Sequence, residues 1–218
     1  MKREEIIKRT KKFVKEKLSG GDSGHDWWHV YRVWQMAKEI GKKEKTDLFV
    51  VELGALLHDI ADWKFQKKRE TSIGAMVAKE WLESLEVNPG IVAHVTKIVA
   101  GVSFKGAGEK DKLKTIEGKV VQDADRLDAM GAIGIARSFA YGGRGGIPLY
   151  DPKIKPKENL PFSEYKKGSP TTLNHFYEKL LLLKDRMHTK TGKRLAHKRH
   201  QFMKAYLNQF FEEWEGKR

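Results

Sequence analysis

The sequence predicts an all-α protein, and three observations support that fold class. Apolar residues recur at spacings of three and four along most of the chain, whereas stretches that alternate between apolar and polar residues are hard to find. Polar N-cap residues and glycine-rich turns separate these segments. The length of 218 residues suits one domain with a sizeable core. We therefore expect a single helical domain over residues 1–218.

The expected helices follow in chain order. The first ends near Leu18, the second starts near Asp26, and the third has Asp47 as its N-cap. The third helix is apolar on most of its sides, so we expect it to be central. Asn88 and Pro89 are typical of an N-cap and first helical residue. The remaining helices are expected over about 71–85, 89–100, 115–137, 173–187 and 191–214.

The clearest interruption is the segment Y-G-G-R-G-G-I-P-L-Y-D-P at 141–152. Together with the polar stretch that follows, it predicts an irregular, lid-like excursion over about 141–170. Its glycines flank Arg144, and this composition is compatible with a flexible lid that covers a binding site. No strand precedes it, so it is not a dinucleotide-binding loop. We expect a core over about 20–140 and a C-terminal helical extension over 171–218.

Composition limits the classes of function. The chain has no cysteine, so any metal site must use histidines and carboxylates, and a cytoplasmic location is the natural expectation. We find no signal peptide and no stretch of roughly 20 apolar residues that could span a bilayer. The net charge of +14 fits nucleic-acid binding, attraction of polyphosphates, or a solvated lysine-rich surface. Charge alone does not decide among these three.

Two histidines occur at positions where a polar side chain needs a partner. His58 and Asp59 end the most apolar helix, where burial is costly unless the groups are paired or metal-bound. His29 and Arg32 are three residues apart and share a face with the apolar Val33. A satisfied core histidine remains an alternative to a metal ligand at either position.

A third unusual segment is V-V-Q-D-A-D-R-L-D-A-M-G at 120–131. Asp123, Asp125 and Asp128 lie among apolar residues of an expected helix, in a chain that is otherwise basic. Carboxylates held close together repel one another, and a bound cation keeps them ionised. The segment therefore indicates a cation site.

Read together, the order H … HD … D resembles the HD-domain metal-dependent phosphohydrolases. The resemblance covers about 26–214 and is closest to the small bacterial HD proteins that include nucleotide pyrophosphohydrolases. It extends to the segments H-D-I-A-D-W-K-F, V-S-F-K-G, G-G-I-P-L-Y-D-P and H-F-Y-E-K-L-L-L-L-K-D. It implies an HD-type helical bundle with a metal site in its core.

The resemblance also implies a set of metal ligands: His29, His58, Asp59 and the aspartate of the last motif. The family's A-D-R-L segment puts that aspartate at Asp125, with Asp123 as the alternative ligand and otherwise a supporting or capping residue. Asp128 is expected to bind a nearby arginine or lysine instead.

Nitrogen and oxygen ligands favour Mn²⁺, with Mg²⁺, Co²⁺, Ni²⁺ and Fe²⁺ as alternatives. Some relatives hold two ions through two extra histidines between the HD pair and the last aspartate. Only His94 lies in that interval here, so we expect one ion and count His94 among the substrate-binding candidates.

Such an ion would activate a water molecule for attack on phosphorus. Asp62 occupies the position where relatives often carry a glutamate that orients this water, although an N-cap role is the alternative. Arg32 is suited to bind phosphate oxygens. The candidate substrate-binding residues are Lys64, His94, Lys105, His175, Lys179 and Lys184, the last three close to one helical face. The Trp27–Trp28 pair could stack on a base, but core packing is the favoured interpretation for each.

These residues predict an enzyme that cleaves (deoxy)nucleoside triphosphates to a monophosphate and pyrophosphate. Other HD reactions are the alternatives: 5′-nucleotidase, cyclic-nucleotide phosphodiesterase or alarmone hydrolase. A basic nucleic-acid-binding module ranks last, because no groove-reading motif is present. We expect a small-molecule nucleotide or polyphosphate substrate and no membrane partner, and a homodimer is compatible with the sequence.

Overall fold

A computed structural model describes residues 1–19, 26–61, 73–103, 111–157, 162–165 and 168–217. Within these ranges every regular element is a helix, which confirms the all-α fold class. No described helix has both the length and the apolar character needed to cross a membrane. In chain order the helices are α1 (Arg3–Lys17), α2 (Trp27–Lys43), α3 (Leu48–Leu57), α4 (Ile73–Ser84), α5 (Pro89–Gly101), α6 (Ile116–Asp128), α7 (Gly131–Arg144), α8 (Phe162–Tyr165), α9 (Thr172–Glu178), a 3₁₀ helix (Leu180–Arg186) and α10 (Lys190–Trp214).

Side-chain caps start several helices where the sequence predicts them. Asp26 caps α2 by accepting a 2.9 Å hydrogen bond from the backbone N–H of His29. Asp47 and Asn88 cap α3 and α5 in the same way. Each cap satisfies a backbone donor that the first helical turn leaves without a partner. The Asp26 cap also places His29 in the first turn of α2.

The chain forms two compact units, and the first consists of the described residues up to 103 together with 111–125. Its centre is α3, of which eight of ten residues are buried. This helix packs against α1, α2 and α5. A Cβ atom on Gly54 would lie 3.2 Å from Ile98 and 3.3 Å from Val121, so α5 and α6 approach it closely there. The expectation that the third helix is central is confirmed.

The second unit consists of the described residues from 126 onward. Here α10 packs against α7 and the 3₁₀ helix, and α9 packs against the same two elements. Phe176 of α9 and Leu183 of the 3₁₀ helix are fully buried in this unit. That residues 1–218 form a single domain stays a prediction.

The expected helix over 115–137 is two helices, because the chain turns between Asp128 and Gly131. Gly131 has a φ of +70°, a conformation that costs glycine little and other residues more. A Cβ atom on Gly134 would lie 2.3 Å from the carbonyl oxygen of Ala129. Glycines therefore permit a turn that apolar periodicity alone does not reveal. The second helix, α7, continues to Arg144, so the beginning of the expected lid is helical.

The rest of the excursion over 141–170 is irregular where it is described, apart from the short α8. Its first part is attached to α9, since the backbone N–H groups of Thr172 and Leu173 donate to the carbonyls of Pro148 and Leu149 at 2.9 and 3.0 Å. A lid-like movement stays a prediction.

The expected helix over 173–187 is also wrong as a single α-helix. The observed helix, α9, ends at Glu178. The next residue, Lys179, has a φ of −142° and a ψ of −62°, which lie outside the α-helical region. The following segment is a 3₁₀ helix with three residues per turn, which buries both Leu180 and Leu183 on one side. His175, Lys179 and Lys184 therefore do not share a face of one α-helix.

Candidate metal centre and active site

Four side chains of the first unit converge close to the ends of their helices. We call His29, His58, Asp59 and Asp125 the His–Asp cluster. The Nε2 atoms of His29 and His58 lie 3.2 Å apart. One ligand atom from each histidine and one from Asp125 all lie within 4.8 Å of one another. The four residues that the resemblance implies as metal ligands are thus close together, although they come from α2, the end of α3 and α6.

The carboxylates face the same two nitrogen atoms. Oδ2 of Asp59 lies 3.2 Å from Nε2 of His29 and 3.6 Å from Nε2 of His58. Oδ1 of Asp125 lies 3.5 Å and 3.8 Å from these atoms. The His29, His58 and Asp59 side chains are at most 7% exposed, whereas Asp125 is 25% exposed. The cluster is therefore buried, and the Asp125 side offers access to it.

The tautomer of His58 follows from its backbone partner. Its Nδ1 atom lies 2.7 Å from the carbonyl oxygen of Ala55, which can only accept a hydrogen bond. Nδ1 therefore carries a proton, and Nε2 of the neutral ring presents a lone pair to the cluster. Metal-binding histidines are commonly held by a hydrogen bond of this kind.

A divalent cation fits this arrangement. Atoms bound to one ion at about 2.1 Å lie roughly 3.0 Å apart at right angles and roughly 3.4 Å apart at tetrahedral angles. The cluster's spacings of 3.2 to 3.8 Å are close to these values. A proton on Nε2 of His29 can bridge to one or two of the acceptors around it. A cation attracts all of them at once, and so removes the repulsion between two carboxylates and the lone pair of His58.

The structure separates the three aspartates of α6. Asp125 is the one whose carboxylate lies against the two histidines. Asp123 is fully buried, and residues two apart on a helix point about 160° away from each other. Asp128 accepts a 2.9 Å hydrogen bond from Arg137, which confirms the expectation that it binds a nearby arginine or lysine side chain.

Comparison with known proteins identifies the fold around this cluster. The HD domain family matches residues 27–130, a range that contains all four members. The chain is 38% identical to the protein YpgQ of Bacillus subtilis over 218 residues, covering 99% of this chain and 97% of YpgQ. The crystal structure of an HD-superfamily hydrolase from Bacillus thuringiensis matches at 42% identity and a TM-score of 0.76, covering 98% of this chain and 99% of that one.

This chain belongs to the HD superfamily. Its fold is that of a metal-dependent phosphohydrolase, and HD domains bind divalent metals. The crystal structure of Bacillus subtilis YpgQ in complex with ADP is also similar, with a TM-score of 0.77 at 34% identity, covering 98% of this chain and 97% of that one. The resemblance stated from the sequence is therefore confirmed at the level of the superfamily and the hydrolase fold.

Of four further candidates in this HD-superfamily chain, the structure describes Arg32 alone. Arg32 is half-buried on α2, one turn after His29. Asp62, Lys64 and Lys105 lie outside the described residues. Their proposed catalytic and substrate-binding roles stay predictions.

His94 has partners of its own near the start of α6. Its Nε2 atom lies 2.9 Å from Oγ1 of Thr115 and 3.9 Å from Oε2 of Glu117. Glu117 and Asp125 are eight residues apart, or about 12 Å along the helix axis. The structure therefore brings His94 to the opposite end of α6 from Asp125. A role in substrate binding stays a prediction.

In the second unit, His175 is oriented by a serine and a buried glutamate. The Ser169 hydroxyl donates a 2.5 Å hydrogen bond to Oε2 of Glu178, which is 4% exposed. Because the hydroxyl has one proton, its oxygen is left to accept from Nδ1–H of His175, 3.3 Å away. Lys157 supplies Glu178 with a second donor, its backbone N–H at 3.0 Å. Ser169 and Glu178 carry no sequence signal of their own.

The two lysine candidates of this unit are half-buried. Lys179 follows the last residue of α9, and Nζ of Lys184 lies 3.4 Å from Oδ1 of Asp185. Close to Lys184, the pKa of His200 is lowered by burial first and then by Lys184 and Lys204. The effect of both lysines on the pKa of His200 indicates a basic surface at this position.

One site feature departs from the sequence interpretation. Trp27 is 7% exposed and packs in the core as expected, but Trp28 is 60% exposed. Core packing is therefore the wrong interpretation for Trp28. The helical pattern contained the signal, because Trp28 lies on the opposite side of α2 from the buried Val30 and Val33.

Proposed function

We propose that this chain hydrolyses (deoxy)nucleoside triphosphates between the α- and β-phosphates and releases a nucleoside monophosphate and pyrophosphate. The His–Asp cluster carries this proposal, because its acceptor atoms converge at the spacing of ligands around one cation. The ADP bound to the similar protein YpgQ supports a nucleotide substrate, since ADP contains the α–β anhydride. The net charge of +14 favours a polyanionic substrate.

One divalent ion is proposed at the cluster, held by His29, His58, Asp59 and Asp125. Mixed nitrogen and oxygen ligands favour Mn²⁺, with Mg²⁺, Co²⁺, Ni²⁺ and Fe²⁺ as alternatives. When bound, such an ion lowers the pKa of water and polarises phosphoryl oxygens. The hydrogen bond from Nδ1 of His58 to Ala55 keeps the Nε2 lone pair of that ring directed into the cluster.

The chain's own residues orient the reactants in this proposal. Asp62 orients the attacking water and takes up its proton, a role that the family resemblance implies for an acidic residue at this position of the motif. Arg32, one turn after His29 on α2, binds phosphate oxygens through its guanidinium group. Additional phosphate contacts are assigned to a wider set: Lys64, His94, Lys105, His175, Lys179 and Lys184.

His175 has a defined requirement for such a contact. Because Ser169 accepts from its Nδ1–H, Nε2 can donate to a phosphate oxygen only when the ring is protonated. A neutral His175 would instead accept a hydrogen bond from a protonated group. We therefore propose that phosphate binding at His175 involves the imidazolium form.

Turnover measurements test the reaction. The purified protein is stripped of metal with a chelator and supplied with each candidate ion in turn. It is then given nucleoside tri-, di- and monophosphates, cyclic nucleotides and guanosine polyphosphates. We expect Mn²⁺-dependent release of monophosphate and pyrophosphate in equal amounts. The variants His58→Ala and Asp125→Asn should lose about 100-fold or more of this activity. The matched control His197→Ala, at an exposed histidine of α10, should retain it.

The products separate the proposal from its alternatives. Release of inorganic phosphate from monophosphates would assign a nucleotidase reaction in its place, and opening of a cyclic nucleotide would assign a phosphodiesterase. No turnover of any phosphoester or anhydride with metal present would contradict the proposal as a whole.

A further inference from the structure

We propose that Trp28 is the surface on which the nucleobase of the substrate stacks, an inference that rests on the proposed nucleotide substrate. Trp28 is the second residue of α2 and directly precedes His29 of the His–Asp cluster. It is 60% exposed, whereas the neighbouring Trp27 is 7% exposed. What distinguishes Trp28 from other exposed aromatic residues, such as Tyr141 and Trp214, is its place next to a cluster residue, where its ring offers a flat apolar surface.

The order of residues around α2 matches the order of groups in a nucleotide. The buried side of the helix contains Val30 and Val33, and His29 lies at its edge. An α-helix turns by about 100° per residue, so viewed down its axis Arg32 lies about 60° from His29. Trp28 lies about 100° from His29, and both are on the side of His29 that faces away from Val30 and Val33. Passing away from the core, one therefore meets a cluster residue, a guanidinium group and an indole ring. When the α-phosphate lies at the cluster, its own non-bridging oxygens come next and the ribose and base follow them. The β- and γ-phosphates leave the α-phosphate in the other direction.

The indole of Trp28 also has a ring face available for stacking. Its one ring contact among the described residues is with Tyr31, at 5.9 Å between ring centres and an angle of 80°. An edge-to-face contact of this kind covers at most one of the two faces of the indole. Trp81 provides a contrast, because Phe13 stacks on it at 4.0 Å and 5°. The face of Trp28 is thus suited to a flat, aromatic ligand such as a base.

Stacking on an indole is tolerant of base identity, since every base has a π-face. We therefore expect Trp28 to strengthen the binding of all nucleotides, with purines bound more tightly than pyrimidines because they have the larger ring system. Loss of one stacked aromatic ring weakens binding by about 5- to 100-fold.

Calorimetric titration tests this assignment without turnover. The probe is the α,β-methylene analogue of ATP with Mn²⁺, whose α–β linkage resists hydrolysis. Methylenediphosphonate with Mn²⁺ serves as the probe without a base. Trp28→Ala should raise the Kd of the ATP analogue by about 5- to 100-fold and leave that of methylenediphosphonate unchanged. Trp28→Phe should restore most of the affinity, since it keeps an aromatic ring.

Trp214 offers a matched control. It is 50% exposed, and its stacking partner is Phe210 of the same helix, at 6.1 Å. Trp214→Ala should leave the Kd of both probes unchanged. This result would show that loss of an exposed tryptophan is not enough to weaken nucleotide binding.

Several results would overturn the assignment. One is an unchanged Kd of the ATP analogue in Trp28→Ala, and another is an equal loss of affinity for both probes. A change of sedimentation coefficient in Trp28→Ala at constant Kd would instead assign this side chain to a contact between copies of the chain. If the wild-type protein does not bind the ATP analogue, both the stacking role of Trp28 and the proposed nucleotide substrate are contradicted. Trp28-dependent binding without any hydrolysis of ATP would contradict only the proposed reaction.

Discussion

The Nε2 atoms of His29 and His58 lie 3.2 Å apart inside the first unit, although the two residues are 29 positions apart in the chain. Nδ1 of His58 donates to the carbonyl oxygen of Ala55, so a neutral His58 directs a lone pair at His29. Two carboxylates face the same position. A divalent cation fits this arrangement, because it attracts the lone pair and both carboxylates at once.

Bound metal should raise the thermal stability of the protein. A ligand present at 100 times its Kd stabilises the folded state by about 2.7 kcal/mol. For a chain of this size we expect Mn²⁺ to raise the Tm by roughly 5–10 °C. Differential scanning calorimetry with Mn²⁺ and with a chelator measures this shift. Asp125→Asn should abolish most of the shift, because the amide cannot replace a charged ligand. A full shift in Asp125→Asn would place the ion elsewhere.

The buried ion pair in the second unit should contribute more to stability than an exposed pair. The Asp128 side chain is 5% exposed and lies 2.9 Å from Arg137. Removing one partner of a buried pair leaves a charge without compensation, so Asp128→Ala should lower the free energy of unfolding by about 3 kcal/mol. Glu83→Ala is the control, because its pair with Lys79 is more than half exposed and should contribute about 0.5 kcal/mol or less. Equal losses in urea unfolding would contradict the difference in burial.

The turn between α6 and α7 should reject a side chain at Gly134. A Cβ atom there would lie 2.3 Å from a backbone carbonyl oxygen, which cannot move without displacing the turn. We expect Gly134→Ala to destabilise the protein by about 1–3 kcal/mol. Gly143→Ala, in the same helix, is the control: its Cβ would meet nothing within 4 Å, so it should be neutral or stabilise by up to ~1 kcal/mol. Comparable unfolding midpoints for both variants would show that helices α6 and α7 are not separated as described.

The imidazole of His200 should titrate below the ordinary value for histidine. Burial lowers its pKa first, and repulsion from Lys184 and Lys204 lowers that pKa further, against an opposing effect of Asp185. The pKa of His200 is lower in the folded state than in the unfolded state. The neutral ring therefore favours folding at pH values above about 6.5. That contribution is lost as the pH falls through the lowered pKa.

NMR titration of the histidine resonances checks this prediction. We expect the pKa of His200 to lie below 6.5 in the wild-type protein and to rise in Lys184→Met. Lys190→Met, at the exposed first residue of α10, should leave that pKa unchanged. A pKa at or above 6.5 in the wild-type protein would contradict the burial of this ring.

Features that depend on neighbouring residues could be predicted from the sequence. The sequence predicts Asp47 and Asn88 as N-caps and the start of a helix near Asp26, because a cap needs only the first turn of its own helix. The fold class followed from apolar periodicity in the same way. The order of the motifs predicts that His29 and His58 bind the same metal ion, although the distance between them depends on how α2 and α3 pack.

Features that depend on tertiary contacts could not be predicted. The break before Gly131 depends on a turn conformation, while apolar periodicity continues through it. The change to a 3₁₀ helix after Lys179 buries leucines that would suit an α-helix equally well. For Trp28, a general preference for burying tryptophan outweighed the helical pattern, which placed it opposite the core.

The most direct test of the metal centre is anomalous diffraction at the manganese edge from crystals soaked in Mn²⁺. We expect one anomalous peak in the first unit, within about 2.0–2.3 Å of Nε2 of both histidines and of a carboxylate oxygen from Asp59 and from Asp125. Two peaks at the cluster would contradict the single ion. A peak at another position, with the cluster empty at saturating Mn²⁺, would contradict the assignment of these four residues as the metal centre.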